Sequence, residues 1–241
     1  MEITTTAIRL RTADGEMKCH QAQPRGPGKF PAVIVIMEAF GLNDHIKDVT
    51  ERIAHEGYVA IAPDLYYRES PNMVGYDQLQ AAIGLMQTLV DEKVVQDLSS
   101  VINHLKAQNF VTTARIGITG FCMGGRIAFL AACKLSEEIK AAVPFYGGGI
   151  AADSPTAPLN FAADLRAPVL CFFGEKDPYI PLAQVRDIDD RLRLLGKAYE
   201  IKVYPGADHG FFCDDRVSYD PEAGKDAWER MKLWFERYLK Q

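Results

Sequence analysis

Long runs of one charge are missing from this sequence. Its 27 Lys and Arg are interspersed with 32 Asp and Glu, for a formal net charge of -5. That pattern leaves no basic stripe for nucleic acid and no patch for an anionic lipid surface, so neither nucleic acid nor membrane is an expected partner. No segment approaches the roughly 20 apolar residues of a membrane span, and the longest apolar runs have the length of buried strands. The stretch Met1 to Thr12 is polar and β-like, without the basic start and apolar core of a secretory signal, so no export is expected. Cysteine is scarce and scattered: Cys19, Cys122, Cys133, Cys171 and Cys213 are odd in number and widely separated, unlike a disulfide framework. A reducing, cytoplasmic setting is expected. There is no internal repeat and no linker, and 241 residues fit a single domain, 1–241, with a large core.

What is present alternates in type along the chain. Glu2 to Thr12 and Met17 to Gln23, separated by Asp14-Gly15, read as an antiparallel hairpin. Ala32 to Met37 is apolar at every position, as in a strand buried on both faces. A helix follows from Asp44 to Glu56 and stops at Gly57, and Tyr58 to Ala62 is the next strand, ending at Pro63-Asp64. Tyr76 to Gln108 has helical spacing with a phase shift near Asp91. Arg115 to Thr119, Ala141 to Tyr146, Pro168 to Phe173 and Ala198 to Tyr204 then read as strands, and Ile127 to Lys134, Pro181 to Leu195 and Pro221 to Leu239 as helices. An antiparallel start followed by strand-helix units predicts an α/β fold: a doubly wound, mostly parallel sheet with helices on both faces and functional loops at the carboxyl ends of its strands. Gly147 to Pro158, rich in Gly, Ala and Pro, reads as a surface loop or lid.

One turn in this pattern carries chemistry. Gly120-Phe121-Cys122-Met123-Gly124-Gly125 lies where a buried strand gives way to a helix, the setting of the G-x-S-x-G nucleophile elbow of the α/β-hydrolase fold with sulfur replacing oxygen. The thiol would stand at a helix amino terminus, where unpaired N–H groups favour thiolate over thiol. A buried structural cysteine is the plainer alternative, and it suits Cys19, Cys133, Cys171 and Cys213, which lack such a setting.

A nucleophile of this kind needs a base and a group that fixes the base's tautomer. In the order nucleophile, acid, histidine, the candidates are Asp177, in Gly174-Glu175-Lys176-Asp177-Pro178, and His209, in Pro205-Gly206-Ala207-Asp208-His209-Gly210. Both follow predicted strands, and strands about 4.8 Å apart let successive loops converge. Asp177 could instead be a turn residue before proline, with Glu175 and Asp208 as fallback acids. His20, His45, His55 and His104 sit in the hairpin or in helices and are better explained as packing or surface residues. Glu38 closes the buried strand and opens Ala39-Phe40-Gly41, where hydrolases of this fold place a second oxyanion donor. A carboxylate there would oppose a thiolate or accept the thiol proton, unless it is a structural ion pair with an arginine. The backbone N–H groups of Met123 and Ala39 are the candidate oxyanion donors.

Taken together, Met37-Glu38-Ala39-Phe40-Gly41, Gly57-Tyr58 through Ala62-Pro63-Asp64-Leu65-Tyr66, Gly120 to Gly125, Gly174 to Asp177 and Gly206 to His209 resemble the dienelactone hydrolase family of carboxymethylenebutenolidases. The resemblance runs over nearly the whole chain. It implies an α/β-hydrolase that cleaves an ester or lactone with Cys122, His209 and Asp177, often monomeric, with no metal and no organic cofactor. It also implies that Glu38 takes the thiol proton when substrate binds. The expected partner is a small ester or lactone, and the expected assembly a monomer or weak homodimer. The two arginines with which characterised members bind the dienelactone carboxylate have no counterpart in Tyr76 to Thr88 or just after His209. Arg68 and Arg216 could substitute, or be surface charges. Phe40, Tyr146, Phe211 and Phe212 are candidates for an apolar substrate pocket, which suits a neutral or bulkier ester. Thioester or peptide hydrolysis with the same residues, a non-enzymatic binding role, and a redox role pairing Cys122 with Cys213 are the alternatives.

Overall fold

The computed structural model describes residues 1–240. These fall into two compact units, Met1–Gly117 and Ile118–Gln241. In the first unit, β1 (Ile3–Thr12) and β2 (Gly15–Pro24) form the hairpin. β2 pairs antiparallel with β4 (Val59–Pro63), which pairs parallel with β3 (Phe30–Ile36). The strand order there is β1-β2-β4-β3, followed by β5 (Val111–Phe121), within which the division between units falls. In the second unit the order continues from β5 through β6 (Ile139–Phe145) and β7 (Val169–Gly174) to β8 (Tyr199–Tyr204), with β6–β7 and β7–β8 parallel.

The apolar runs went where their composition directs. β4 and β7 are buried along their whole length, and β3 from Pro31 onward. β8 at the sheet edge keeps Glu200 exposed and Lys202 half-buried, charges that discourage pairing with another chain. Helix α1 (Asp44–His55) begins at Asn43, whose Oδ1 accepts the Ile46 N–H at 3.1 Å, and buries Ile46, Val49 and Ile53. Helix α6 (Pro221–Leu239) begins at Asp220, whose carboxylate accepts the N–H groups of Glu222 and Ala223, and buries Met231, Trp234 and Phe235. The long helical stretch breaks as its phase shift requires, into α2 (Leu79–Thr88) and α3 (Asp91–Ala107).

Two elements start four residues earlier than expected. β5 starts at Val111, earlier than Arg115, because its first turn toward solvent leaves Thr113 and Ala114 exposed and breaks the apolar pattern. Helix α4 spans Met123–Lys134 and not Ile127–Lys134, since Gly124 and Gly125 disguise its first turn as loop. A 3-10 helix, Pro158–Asp164, follows the glycine-rich loop, and helix α5 (Leu182–Leu194) falls where its spacing predicts. No helix among the described residues is long and apolar enough to cross a membrane.

The first unit is tied together by a polar cluster. Arg68 donates to both oxygens of the buried Asp97, at 2.7 and 3.0 Å, and to Asp14 at 2.9 Å. Tyr67 donates to Asp97 at 3.0 Å and shares a 2.7 Å bond with Thr12, while Lys93 reaches Asp14 at 3.0 Å. The fork of Arg68 is thus engaged by two carboxylates, which removes it as a substitute carboxylate binder. Asp97→Ala leaves the Arg68 guanidinium and the Tyr67 hydroxyl without their buried acceptor, and urea denaturation is expected to show a loss of about 3 kcal/mol. The same substitution at exposed Asp44 is expected to leave the urea midpoint essentially unchanged.

Candidate active site

In the second unit β5 runs straight into α4, and the residue at the junction absorbs the change of direction. Cys122 has φ 56° and ψ -120°; among the described residues only it and Tyr146 are non-glycine positions with positive φ. Such a conformation costs about 1–3 kcal/mol and persists only where neighbours over-determine it. Here the Cys122 N–H donates to the Phe145 carbonyl at 3.1 Å, and the Cys122 carbonyl accepts from Gly125 and Arg126 at 2.9 and 3.2 Å. A Cβ on Gly125 would stand 2.3 Å from the Phe145 oxygen, and one on Gly147 2.8 Å from the Arg126 nitrogen, so both glycines let the helix start against the end of β6. The residue is left partly exposed. Cys19, Cys133, Cys171 and Cys213 are buried, and desolvation pushes the thiols of Cys19 and Cys133 up to about 12.

Two further loops of this unit supply an imidazole and a carboxylate. Asp177 follows β7 and His209 follows β8, and their loops are locked together. A Cβ on Gly174 would lie 2.5 Å from the Ala207 carbonyl, and the Lys176 N–H donates to that carbonyl at 2.9 Å. Asp177 Oδ2 lies 2.7 Å from His209 Nδ1, both residues being buried, and Asp177 Oδ1 accepts the Tyr179 N–H at 2.8 Å. The alternative acids serve the loop itself. Glu175 accepts the Gly206 N–H at 2.9 Å and Asp208 the His209 N–H at 2.6 Å.

Cys122 lies near enough to His209 to act on the charge of its imidazole. Burial works against charge on the imidazole, but the Cys122 sulfur and the Asp177 carboxylate outweigh it and raise the His209 pKa to about 10. The ring is flanked edge-on by Tyr146 and Tyr179, each with its centroid 5.1 Å away. The remaining histidines are occupied in the first unit or buried there. His20 pairs with Glu51 at 3.0 Å, His55 with the Met1 carbonyl at 2.7 Å and His104 with Gln21 at 3.0 Å, and His45 lies buried in α1.

The turn after β3 is built as firmly in the first unit. Glu38 is wholly buried, and Tyr76 donates to its Oε2 at 3.0 Å while accepting from Asn43 Nδ2 at 2.9 Å. Tyr66 donates to the Ala39 carbonyl at 3.1 Å. Tyr66 is itself placed by Asp64, which accepts the Tyr66 N–H at 3.0 Å and the Asn72 side-chain N–H at 2.6 Å. Desolvation raises the Asp64 pKa against those bonds. The segment Pro63-Asp64-Leu65-Tyr66 therefore orients the Ala39 peptide, and Gly41, at φ +95°, lets the chain pass 2.6 Å from the Asn72 carbonyl, measured from where a Cβ would be.

The four apolar pocket candidates all lie buried. Phe40 packs with Ala39 and Ala82 and edge-on to Tyr76, Phe211 against Tyr146 and Tyr204, and Phe212 against Phe121 and Phe145. Met123 is the first residue of α4, and the Arg216 guanidinium lies against Gly210, 2.2 Å from where a Cβ would be. Sequence reasoning missed Tyr66, Tyr76 and Tyr179, whose partners lie at least two dozen residues away or, for Tyr179, in a different loop; the tyrosine of the Pro63-Asp64-Leu65-Tyr66 motif was the one available signal.

Comparison with known proteins adds a second line of observation. The sequence profile of the dienelactone hydrolase family matches residues 17–239. A Synechocystis protein provisionally named carboxymethylenebutenolidase is 38% identical over 246 residues, covering 100% of this chain and 99% of its own. A Bradyrhizobium protein provisionally named 2-oxo-3-(5-oxofuran-2-ylidene)propanoate lactonase is 34% identical, covering 94% of this chain and 92% of its own. The crystal structure of a Klebsiella pneumoniae protein provisionally named dienelactone hydrolase is similar with a TM-score of 0.90 and 38% identity, covering 99% of this chain and 100% of that one. The α/β-hydrolase fold expected from the sequence is the fold of that neighbour.

The raised His209 pKa sets a direction for stability against pH. A histidine whose pKa rises on folding, from 6.5 to about 10, contributes stability that is fully present below pH 6.5 and lost as pH climbs through 10. The thermal stability margin of the wild type over His209→Gln is therefore expected to be widest near pH 6 and to narrow toward pH 10. A margin that grows with pH contradicts this reading of the cluster.

Proposed function

This chain belongs to the dienelactone hydrolase family, and we propose that it hydrolyses an ester or lactone by way of an acyl-thioester on Cys122, with His209 as acid and base and Asp177 as its orienting carboxylate. The observation that carries the proposal is the meeting, at one strand-to-helix bend, of a partly exposed cysteine at positive φ with a buried histidine held at 2.7 Å by an aspartate. With Asp177 occupying Nδ1, the other ring nitrogen is the one available to move protons at the sulfur and the leaving group.

In this proposal the reacting state pairs a Cys122 thiolate with the His209 imidazolium. The thiolate adds to the carbonyl carbon, and the tetrahedral oxyanion is held by the Met123 N–H at the start of α4. Collapse breaks the ester C–O bond, and the departing alkoxide takes the proton of the His209 imidazolium. Neutral His209 then removes a proton from water as it attacks the thioester. The carboxylic acid leaves, and thiolate and imidazolium are restored. Within the first unit Tyr76 and Tyr66 hold the Glu38 side chain and the Ala39 peptide.

The engagement of Arg68 by Asp97 and Asp14 supports a neutral substrate over one anchored by a carboxylate at that residue. Cys122→Ala is expected to lower kcat/KM for aryl esters by more than about 10³-fold with an unchanged circular dichroism spectrum. Cys122→Ser is expected to fall nearly as far, because an alcohol is a far weaker acid than a thiol. Retention of a tenth of wild-type activity by the alanine variant would sink the proposal.

A further inference from the structure

The loop between Asp177 and helix α5 reads Asp177-Pro178-Tyr179-Ile180-Pro181, and its residues are treated very differently by the fold. Asp177 and Ile180 are 6% and 2% exposed, whereas Tyr179 between them is 58% exposed. A single exposed aromatic is ordinary on a protein surface. Three features set this one apart. Its ring centroid lies 5.1 Å from the His209 imidazole at an interplanar angle of 84°, so one flank rests on the proposed base and the remainder faces solvent. Its backbone is fixed: the Tyr179 N–H donates to Asp177 Oδ1 at 2.8 Å, prolines constrain φ at residues 178 and 181, and the buried Ile180 anchors the loop beside Gly148. Tyr146, the other ring at 5.1 Å from the imidazole, is fully buried and already supplies the packing that orients His209. Orientation of the base therefore does not require Tyr179 to stand in water.

A rigid aromatic surface kept in solvent against a base is preorganised to receive a flat group, because it loses little conformational freedom when covered. We propose that Tyr179 is a specificity-determining residue, a platform on which a flat, uncharged aromatic or conjugated portion of the ester substrate stacks beside His209. The proposal rests on the reading of Cys122, His209 and Asp177 as the reacting group, and it adds the substrate class: esters carrying a planar apolar group rather than a flexible alkyl chain of equal size.

The test compares neutral esters matched in carbon number whose reacting carbonyls are alike, benzyl acetate with heptyl acetate and methyl phenylacetate with methyl octanoate, on wild type, Tyr179→Ala, Tyr179→Leu and Tyr179→Phe. An aromatic contact of about 1 kcal/mol corresponds to roughly 5-fold, so the alanine and leucine variants are expected to lose about 5- to 10-fold in kcat/KM on the aryl members of each pair. That loss should appear in KM, with alkyl members changed less than about 2-fold, and Tyr179→Phe should keep the preference because the ring remains. Equal loss on aryl and alkyl esters, with a shifted pH profile, would make Tyr179 a positioning residue for His209 and overturn the proposal, as would no loss on either. Binding of phenylacetamide and octanamide to Cys122→Ala and to Cys122→Ala/Tyr179→Ala, followed by ligand-observed NMR, keeps the two readings separate. Ring-dependent preference for phenylacetamide supports the platform even if the alanine variant at 122 retains turnover, and its absence overturns the platform even if turnover is abolished.

Discussion

At the junction of β5 and α4 the chain passes from a buried strand directly into a helix, and Cys122 takes up the turn at φ 56°, a conformation that L residues avoid. Everything else in the second unit's cluster is arranged around holding that bend. The end of β6 accepts the Cys122 N–H, the first turn of α4 closes on the Cys122 carbonyl, and the missing side chains of Gly125 and Gly147 allow the approach. The functional consequence is exposure. Four cysteines sink into the core, where desolvation disfavours the thiolate of Cys19, Cys133 and Cys171, and the fifth is left partly exposed near an imidazole.

The same device recurs at the other loops. Gly174 brings the end of β7 against the turn after β8, so that the Asp177 carboxylate and the His209 ring meet without a long, flexible reach. Glu175 and Asp208, the alternative acids for the imidazole, instead accept backbone N–H groups that shape the turn. In the first unit, a network of Asp64, Tyr66, Asn43 and Tyr76 fixes the Glu38 side chain and the Ala39 peptide from two directions. Reactive geometry is thus carried by strand ends and tight turns, and its precision comes from hydrogen bonds to side chains that do no chemistry themselves.

Much of this was legible in the sequence, for identifiable reasons. Ala32 to Met37, Tyr58 to Ala62 and Pro168 to Phe173 are apolar without alternation, and the strands they form are buried on both faces. The glycines around Cys122 announced a sharp turn, and chain order led to Asp177 and His209, which the fold brings together at 2.7 Å. The start of α4 was hidden because Gly124 and Gly125 are poor helix formers retained for close approach. Tyr76 and Tyr179 were invisible as site residues for a different cause: each acts through a contact about 30 to 38 residues away. No local pattern encodes such a contact. The engagement of Arg68 by Asp97 and Asp14 was hidden for the same reason.

Covalent capture reports on the sulfur most directly. Wild-type protein mixed with an excess of a slowly deacylating aryl ester, quenched in acid within the first turnovers and digested, is expected to carry the acyl mass as a thioester on the peptide containing Cys122, labile to hydroxylamine at neutral pH. An acyl group found on a serine, or turnover with no acyl-protein at any quench time while Cys122 remains unmodified, would contradict nucleophilic attack by that cysteine.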